Sequence, residues 1–196
     1  MRKRFDDKFN CDVYEIFAGE YYATTEQNVI LQTLLGSCIA VCLKDEVAQI
    51  VGLNHFMLPS THRVRDVIAN QDARYGINAM EKLINRMMKL GANRGRLNAK
   101  VFGGGQVMGS GLNNVAQANI DFIFSYLQME EIPIVAHDVG GKQGRKIYLL
   151  SETFDIYLKR LGETRKIKDT IQHEKGLFRR IKKEQDQGSD VTLFRD

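Results

Sequence analysis

The stretch that decides the fold runs Thr33-Leu34-Leu35-Gly36-Ser37-Cys38-Ile39-Ala40-Val41-Cys42-Leu43-Lys44-Asp45. After Glu46-Val47-Ala48-Gln49 it continues Ile50-Val51-Gly52-Leu53-Asn54-His55-Phe56-Met57-Leu58. Two apolar runs of strand length separated by a short polar segment read as a β-hairpin, with Gly36-Ser37 as the turn that feeds its first strand. If Glu46-Val47 forms a tight turn, Asp45 faces Ala48, paired residues sum to 93, and Cys38 lies opposite His55. Opposed residues of an antiparallel pair hold their Cβ atoms about 4.5–5.5 Å apart, near enough for an imidazole to take a thiol proton. Spacing alone also permits Cys38 as a small buried apolar residue and His55 as a hydrogen-bonded strand histidine. Gly36-Ser37 adds a second feature. A glycine lets the backbone approach a substrate closely, and N–H groups at such a turn can face the oxyanion formed when a thiolate attacks an amide carbon.

Working outward, Ile30 to Leu35 reads as a strand, and Val13 to Tyr22, rich in aromatic and β-branched residues, as an opening strand. Downstream, the three-to-four-residue spacing of Ile77, Met80, Leu83, Ile84 and Met87 predicts a helix over 73–90, stopped by Gly91. A strand at Ala99 to Phe102 runs into Gly103-Gly104-Gly105, and a second helix is predicted from about Asn114 to Met129. Strands follow at 132–137, 146–150 and 154–158, the first two joined by a turn beginning Asp138-Val139-Gly140-Gly141. Strands and two helices interleave without a βαβ rhythm. The expected fold is therefore α/β, with mixed, largely antiparallel sheets layered with two main helices in an α/β/β arrangement.

A chain of 196 residues, 43% hydrophobic and 27% charged, suits one core. Residues 1–160 are expected to form a single domain, and 161–196 a basic, partly flexible extension. Ten Lys and Arg against four Asp and Glu between Lys159 and Glu184 give that stretch +6; with a net charge of +4 for the whole chain, the rest stands at −2. Interspersed Glu163, Asp169 and Glu174 and sparse aromatics make it a solvated face rather than a nucleic-acid surface. No apolar run approaches the ~20 residues of a membrane span, and no apolar segment follows Met1-Arg2-Lys3-Arg4, so a cytoplasmic protein that does not span a membrane is expected. Cysteines at 11, 38 and 42 lack C-x-x-C spacing, which reads as reduced thiols with no zinc site. Cys42 is assigned to the core and Cys11 to an exposed position. His137 is read as structural, and His62 and His173 have no evident partner in sequence. Gly103 to Gly105 reads as a turn or a site rim. A phosphate loop is excluded because no Lys-Ser or Lys-Thr follows.

The quoted run from Thr33 to Asp45, together with Gly52 to Pro59, resembles the signature of the CheD chemoreceptor glutamine deamidases, including the cysteine-to-histidine spacing of seventeen. Lys100-Val101-Phe102-Gly103-Gly104-Gly105, Asp138 to Gly141 and Gly144-Arg145-Lys146 are similar to later blocks of that family. The resemblance covers the chain from about Tyr14 to Leu158. It implies Cys38 as nucleophile, His55 as its base, Thr33 or a backbone carbonyl orienting the histidine, and Gly36 and Ser37 at the oxyanion. It implies the cytoplasmic helices of chemoreceptors as substrate, no metal or organic cofactor, and secondary action on receptor methyl esters. The alternative it leaves open is a module that binds the CheC-type phosphatase with little or no catalysis. Two positions depart from the family pattern: Gln32 stands where the family can have its threonine, six residues before the cysteine, and Ala118 where an arginine commonly precedes Asn119.

Overall fold

The hairpin lies at the centre of the molecule. In the computed structural model, which describes residues 1–58, 71–107, 113–162 and 165–187, strands β5 (Ile39–Asp45) and β6 (Ile50–Phe56) are buried at every position. That burial explains why they read as continuous apolar runs rather than alternating ones: both faces of their sheet are covered. The period of two then divides their side chains cleanly. Ile39, Val41, Leu43, Ile50 and Phe56 pack towards helices α1 (Gln71–Lys89) and α2 (Asn113–Met129), against Met80, Leu83, Ile84, Phe122, Ile123 and Leu127. Cys38, Ala40, Cys42, Val51, Leu53 and Met57 face the other way, onto Leu31, Leu35, Ile147 and Leu149 of a second sheet.

The central sheet adds β3 (Tyr21–Thr24), β7 (Leu97–Gly103) and β8 (Ile134–Val139), in the order β3-β6-β5-β7-β8. The second sheet holds β1 (Arg2–Asp6), β2 (Cys11–Glu15), β4 (Val29–Leu35), β9 (Gly144–Leu150) and β10 (Ile156–Leu161), in the order β1-β2-β4-β9-β10. Each sheet is mixed and mainly antiparallel, with one parallel pair, β2–β4 and β7–β8 respectively. The layers are thus helix, sheet, sheet, as the sequence predicts. A third helix, α3 (Arg165–Gln187), covers the far side of the molecule beside β4.

Three sequence expectations change. The hairpin turn spans four residues, with Asp45 opposite Ile50 and Ala40 opposite His55, because the Asp45 carboxylate accepts hydrogen bonds from the N–H groups of Val47 and Ala48 and Gln49 takes a positive φ of 54°. Paired residues sum to 95 rather than 93, a slip of two. The supposed single strand over 13–22 is two strands in different sheets, since the chain crosses between layers after Glu15. Cys11 is buried with Val13 and Ile30 rather than exposed. His62 and residues 188–196 lie outside the described residues.

Candidate functional site

A register slip of one would have sent Cys38 and His55 to opposite faces, whereas a slip of two preserves the face. His55 pairs with Ala40, and Cys38, two residues earlier, shares Ala40's face and so meets His55 on the diagonal. Both are buried. Cys38 Sγ, a ring nitrogen of His55 and a carboxylate oxygen of Glu174 lie within 4.8 Å of one another. The structure thus brings Cys38 and His55 together, as the sequence expects, through a different register.

Thr33 fixes the imidazole. Its Oγ1 donates to the carbonyl of Ile16 at 2.7 Å, and the same oxygen stands 2.8 Å from His55 Nδ1. With the hydroxyl proton committed to Ile16, the oxygen accepts from Nδ1–H, which assigns the ring proton to Nδ1 and leaves the lone pair on Nε2. Nε2 is buried and has no hydrogen-bond partner among the described residues. Gln32 points to the opposite face of β4, where it binds Glu15 Oε1 at 3.1 Å. Strand alternation thus gives the histidine to the residue five before the cysteine, not six.

The turn before Cys38 gathers backbone donors. The N–H groups of Gly36 and Ser37 each reach the Glu174 carboxylate at 2.8 Å, that of Cys38 at 3.4 Å, and the Ser37 hydroxyl at 2.7 Å. Consecutive N–H groups converging on one point make an anion-binding nest. Its carbonyls are held away from the site by neighbours: Gly104 N–H binds Cys38 O at 2.7 Å, Gly105 N–H binds Gly36 O at 2.8 Å, and Asn119 Nδ2 binds Ser37 O at 3.0 Å. Asn119 Oδ1 also accepts from Leu58 N–H at 2.7 Å, tying the end of β6 to the same helix. The triple glycine is therefore a clamp on the turn rather than a rim. At Gly103 (φ 116°) a Cβ would stand 2.2 Å from Cys38 O, so that contact requires glycine.

Burial is the main cause of the protonation states here. It holds the Cys38 thiol well above its ordinary value, with the Glu174 charge adding to the effect. It also pushes His55 down to about 4, against a smaller upward pull from Glu174. As seated, the pair is a neutral thiol beside a neutral imidazole. Cys38, His55 and Glu174 supply three donors of the kind that bind metal. Both Glu174 oxygens, however, are engaged by N–H and O–H donors, the contacts of an anion in a nest rather than of a metal ligand. Glu174 is the site residue that sequence reading missed. It lies in the basic tail as one of four acids interspersed among ten Lys and Arg, and no local signal pairs it with Gly36.

The remaining sequence candidates take structural places. Ala118 packs in the core between α2 and the central sheet, and Cys42 is core. Asp138 binds Arg145 and Arg160 rather than His137, and Arg145 also donates to Gly140 O at 2.6 Å, which shapes the turn between β8 and β9. Among the described residues no helix is long and apolar enough to cross a membrane.

A family model described as CheD chemotactic sensory transduction matches residues 57–160. The chain is 43% identical over 195 residues to "Probable chemoreceptor glutamine deamidase CheD 1" of Shewanella oneidensis, covering 97% of this chain and 91% of that protein. It is 44% identical to "Probable chemoreceptor glutamine deamidase CheD" of Laribacter hongkongensis, over 81% of this chain and 77% of that one. The protein of the same description from Methylobacillus flagellatus is 39% identical, over 97% of this chain and 93% of that one. A solved structure, the hypothetical protein YfiH of Bacillus licheniformis, aligns with a TM-score of 0.30 at 20% identity over 42% of this chain and 26% of that one, too slight a likeness to bear on the fold. Matched by the family model over more than half its length and by relatives along nearly all of it, the chain belongs to the CheD family.

Proposed function

We propose that this protein is a protein-glutamine deamidase that converts specific glutamine side chains on the cytoplasmic helices of chemoreceptors to glutamate. The observation that carries this reading is the alignment of a thiol, an oriented imidazole and an N–H nest around one point. His55 Nε2 takes the Cys38 proton, and the thiolate attacks the side-chain amide carbon. The oxyanion of the tetrahedral intermediate lies against the N–H groups of residues 36 to 38. The C–N bond breaks as His55 returns the proton to the leaving group, and ammonia departs, leaving a thioester. Water, deprotonated by His55, then adds to the thioester, so that glutamate is released and the thiol restored. Thr33 acts as a positioning residue throughout, holding Nε2 towards the sulfur. Residues 1–160 supply every group of this mechanism, and the basic segment after them supplies none.

One observation favours a second reading, in which the chain chiefly binds a CheC-type phosphatase: Cys38 is wholly buried and its thiol protonated. Peptide mass spectrometry of chemoreceptor cytoplasmic fragments separates the two. The wild-type protein is expected to add about 1 Da at particular glutamines, and Cys38→Ala to add nothing. Fragments left unmodified by the wild type would overturn the deamidase reading.

A further inference from the structure

Glu174 is 1% exposed, and glutamates are rarely buried so fully without a cationic partner. Among the described residues no lysine or arginine pairs with it. Its carboxylate is held instead by the three backbone N–H groups and the hydroxyl of the turn at 36–38, the donors that the proposed mechanism needs for its oxyanion. The carboxylate also lies within reach of Cys38 and His55. A glutamate side chain, carried on a helix, bound by the oxyanion donors and set against the nucleophile, has the chemical form of the reaction product.

The rest of α3 is fitted to the same place. Ile167, Leu177 and Ile181 are buried at −7, +3 and +7 from Glu174, one helical face, while His173, Gly176 and Arg179 are exposed. Space is made for that face by two glycines. A Cβ at Gly36 would stand 2.7 Å from Glu174 Oε2, and one at Gly144 would stand 2.1 Å from Ile167 Cδ1. The groove that runs along α3 is lined by Ile16, Phe17, Leu34 and Tyr148 and also by charged groups such as Arg4 and Lys146, a mixed surface that suits an amphipathic helix.

We propose that α3 is an internal product mimic: it seats Glu174 where the glutamate made from a substrate glutamine would lie, closes the site in the resting protein, and marks the groove into which a substrate helix docks in its place. This rests on the deamidase reading for the identity of the product, but the closure itself does not. The carboxylate beside Cys38 is there because α3 is in place, and it stands against both the sulfur and the nest. Release of the helix exposes the sulfur, removes the negative charge and frees the nest for an oxyanion. The docked helix is expected to carry its glutamine with apolar residues at +3, +7 and −7.

Two variants test this on the full-length chain. Glu174→Ala is expected to raise the rate of Cys38 alkylation by iodoacetamide at neutral pH about tenfold or more, read by peptide mass spectrometry with buried Cys11 and Cys42 as internal references. It is expected to raise receptor-fragment deamidation by a similar factor. Glu174→Gln, nearly isosteric, places an amide at the nucleophile and is expected to convert to glutamate with a gain of about 1 Da, a conversion lost in the double variant with Cys38→Ala. Unchanged alkylation in Glu174→Ala, together with a side-chain amide in Glu174→Gln that persists beside an intact Cys38, overturns the proposal, even if receptor fragments are deamidated. Accelerated alkylation with no deamidation of receptor fragments or of the amide introduced by Glu174→Gln leaves the closing helix standing and removes the deamidase reading.

Discussion

At the scale of single residues, the feature with most consequence is the Thr33 hydroxyl. It is one atom placed between a carbonyl that fixes its proton and an imidazole that must donate to it. Valine at this position keeps the shape and removes both bonds. Thr33→Val is therefore expected to lower the deamidation rate about 10²-fold, within the range typical of a disabled general base, with little change in KM. Thr33→Ser is expected to retain most activity. Steady-state kinetics on a receptor fragment check both. The threonine is legible in the sequence as a candidate, and only strand parity, which a single chain does not display, decides between positions 32 and 33. Glu174 is not legible at all: its partners are 136 to 138 residues away, and its neighbours in sequence belong to a solvated basic face.

At the scale of elements, the hairpin is readable because burial on both faces leaves an unmistakable pair of apolar runs. Its register is not, because the turn depends on the Asp45 side chain capping two N–H groups, a device with no strong sequence signature. The error is even-numbered and therefore harmless to the pairing of faces. The stretch over 13–22 misleads for the opposite reason. β-rich composition is continuous there, whereas the chain changes sheets in the middle. Helices α1 and α2 are recovered from their periodicity, since each lays one apolar stripe on the central sheet. The end of β7 carries the clearest test of how elements build the site. Gly103→Ala sets a Cβ against Cys38 O and adds strain at φ 116°. It is expected to cost about 2–4 kcal/mol of stability, read by urea unfolding. It is also expected to lower activity more than a core substitution of equal cost, because the displaced carbonyl belongs to Cys38, whose N–H is part of the nest.

At the scale of the whole molecule, the site lies at the junction of both sheets and α3, so protonating it strains all three. His55 is held neutral by burial, with its pKa near 4 in the folded chain against about 6.5 when unfolded. The unfolded state therefore binds the proton more readily. Stability is complete above about pH 6.5 and falls as the pH drops towards 4, by an amount on the order of 3 kcal/mol. Denaturant midpoints measured between pH 7 and 4 are expected to show this fall in the wild type and a smaller one in His55→Gln.

The seat of Glu174 has a consequence of another kind. Peroxides and electrophilic metabolites attack exposed thiolates, and oxidation beyond the sulfenic acid is not reversed in most proteins. A sulfur kept protonated, wholly buried and covered by a carboxylate is a poor target for them. On the proposed mechanism, the same helix that withholds the thiol from substrate also preserves it in storage, and Cys38 is at chemical risk only during the intervals in which it is also at work.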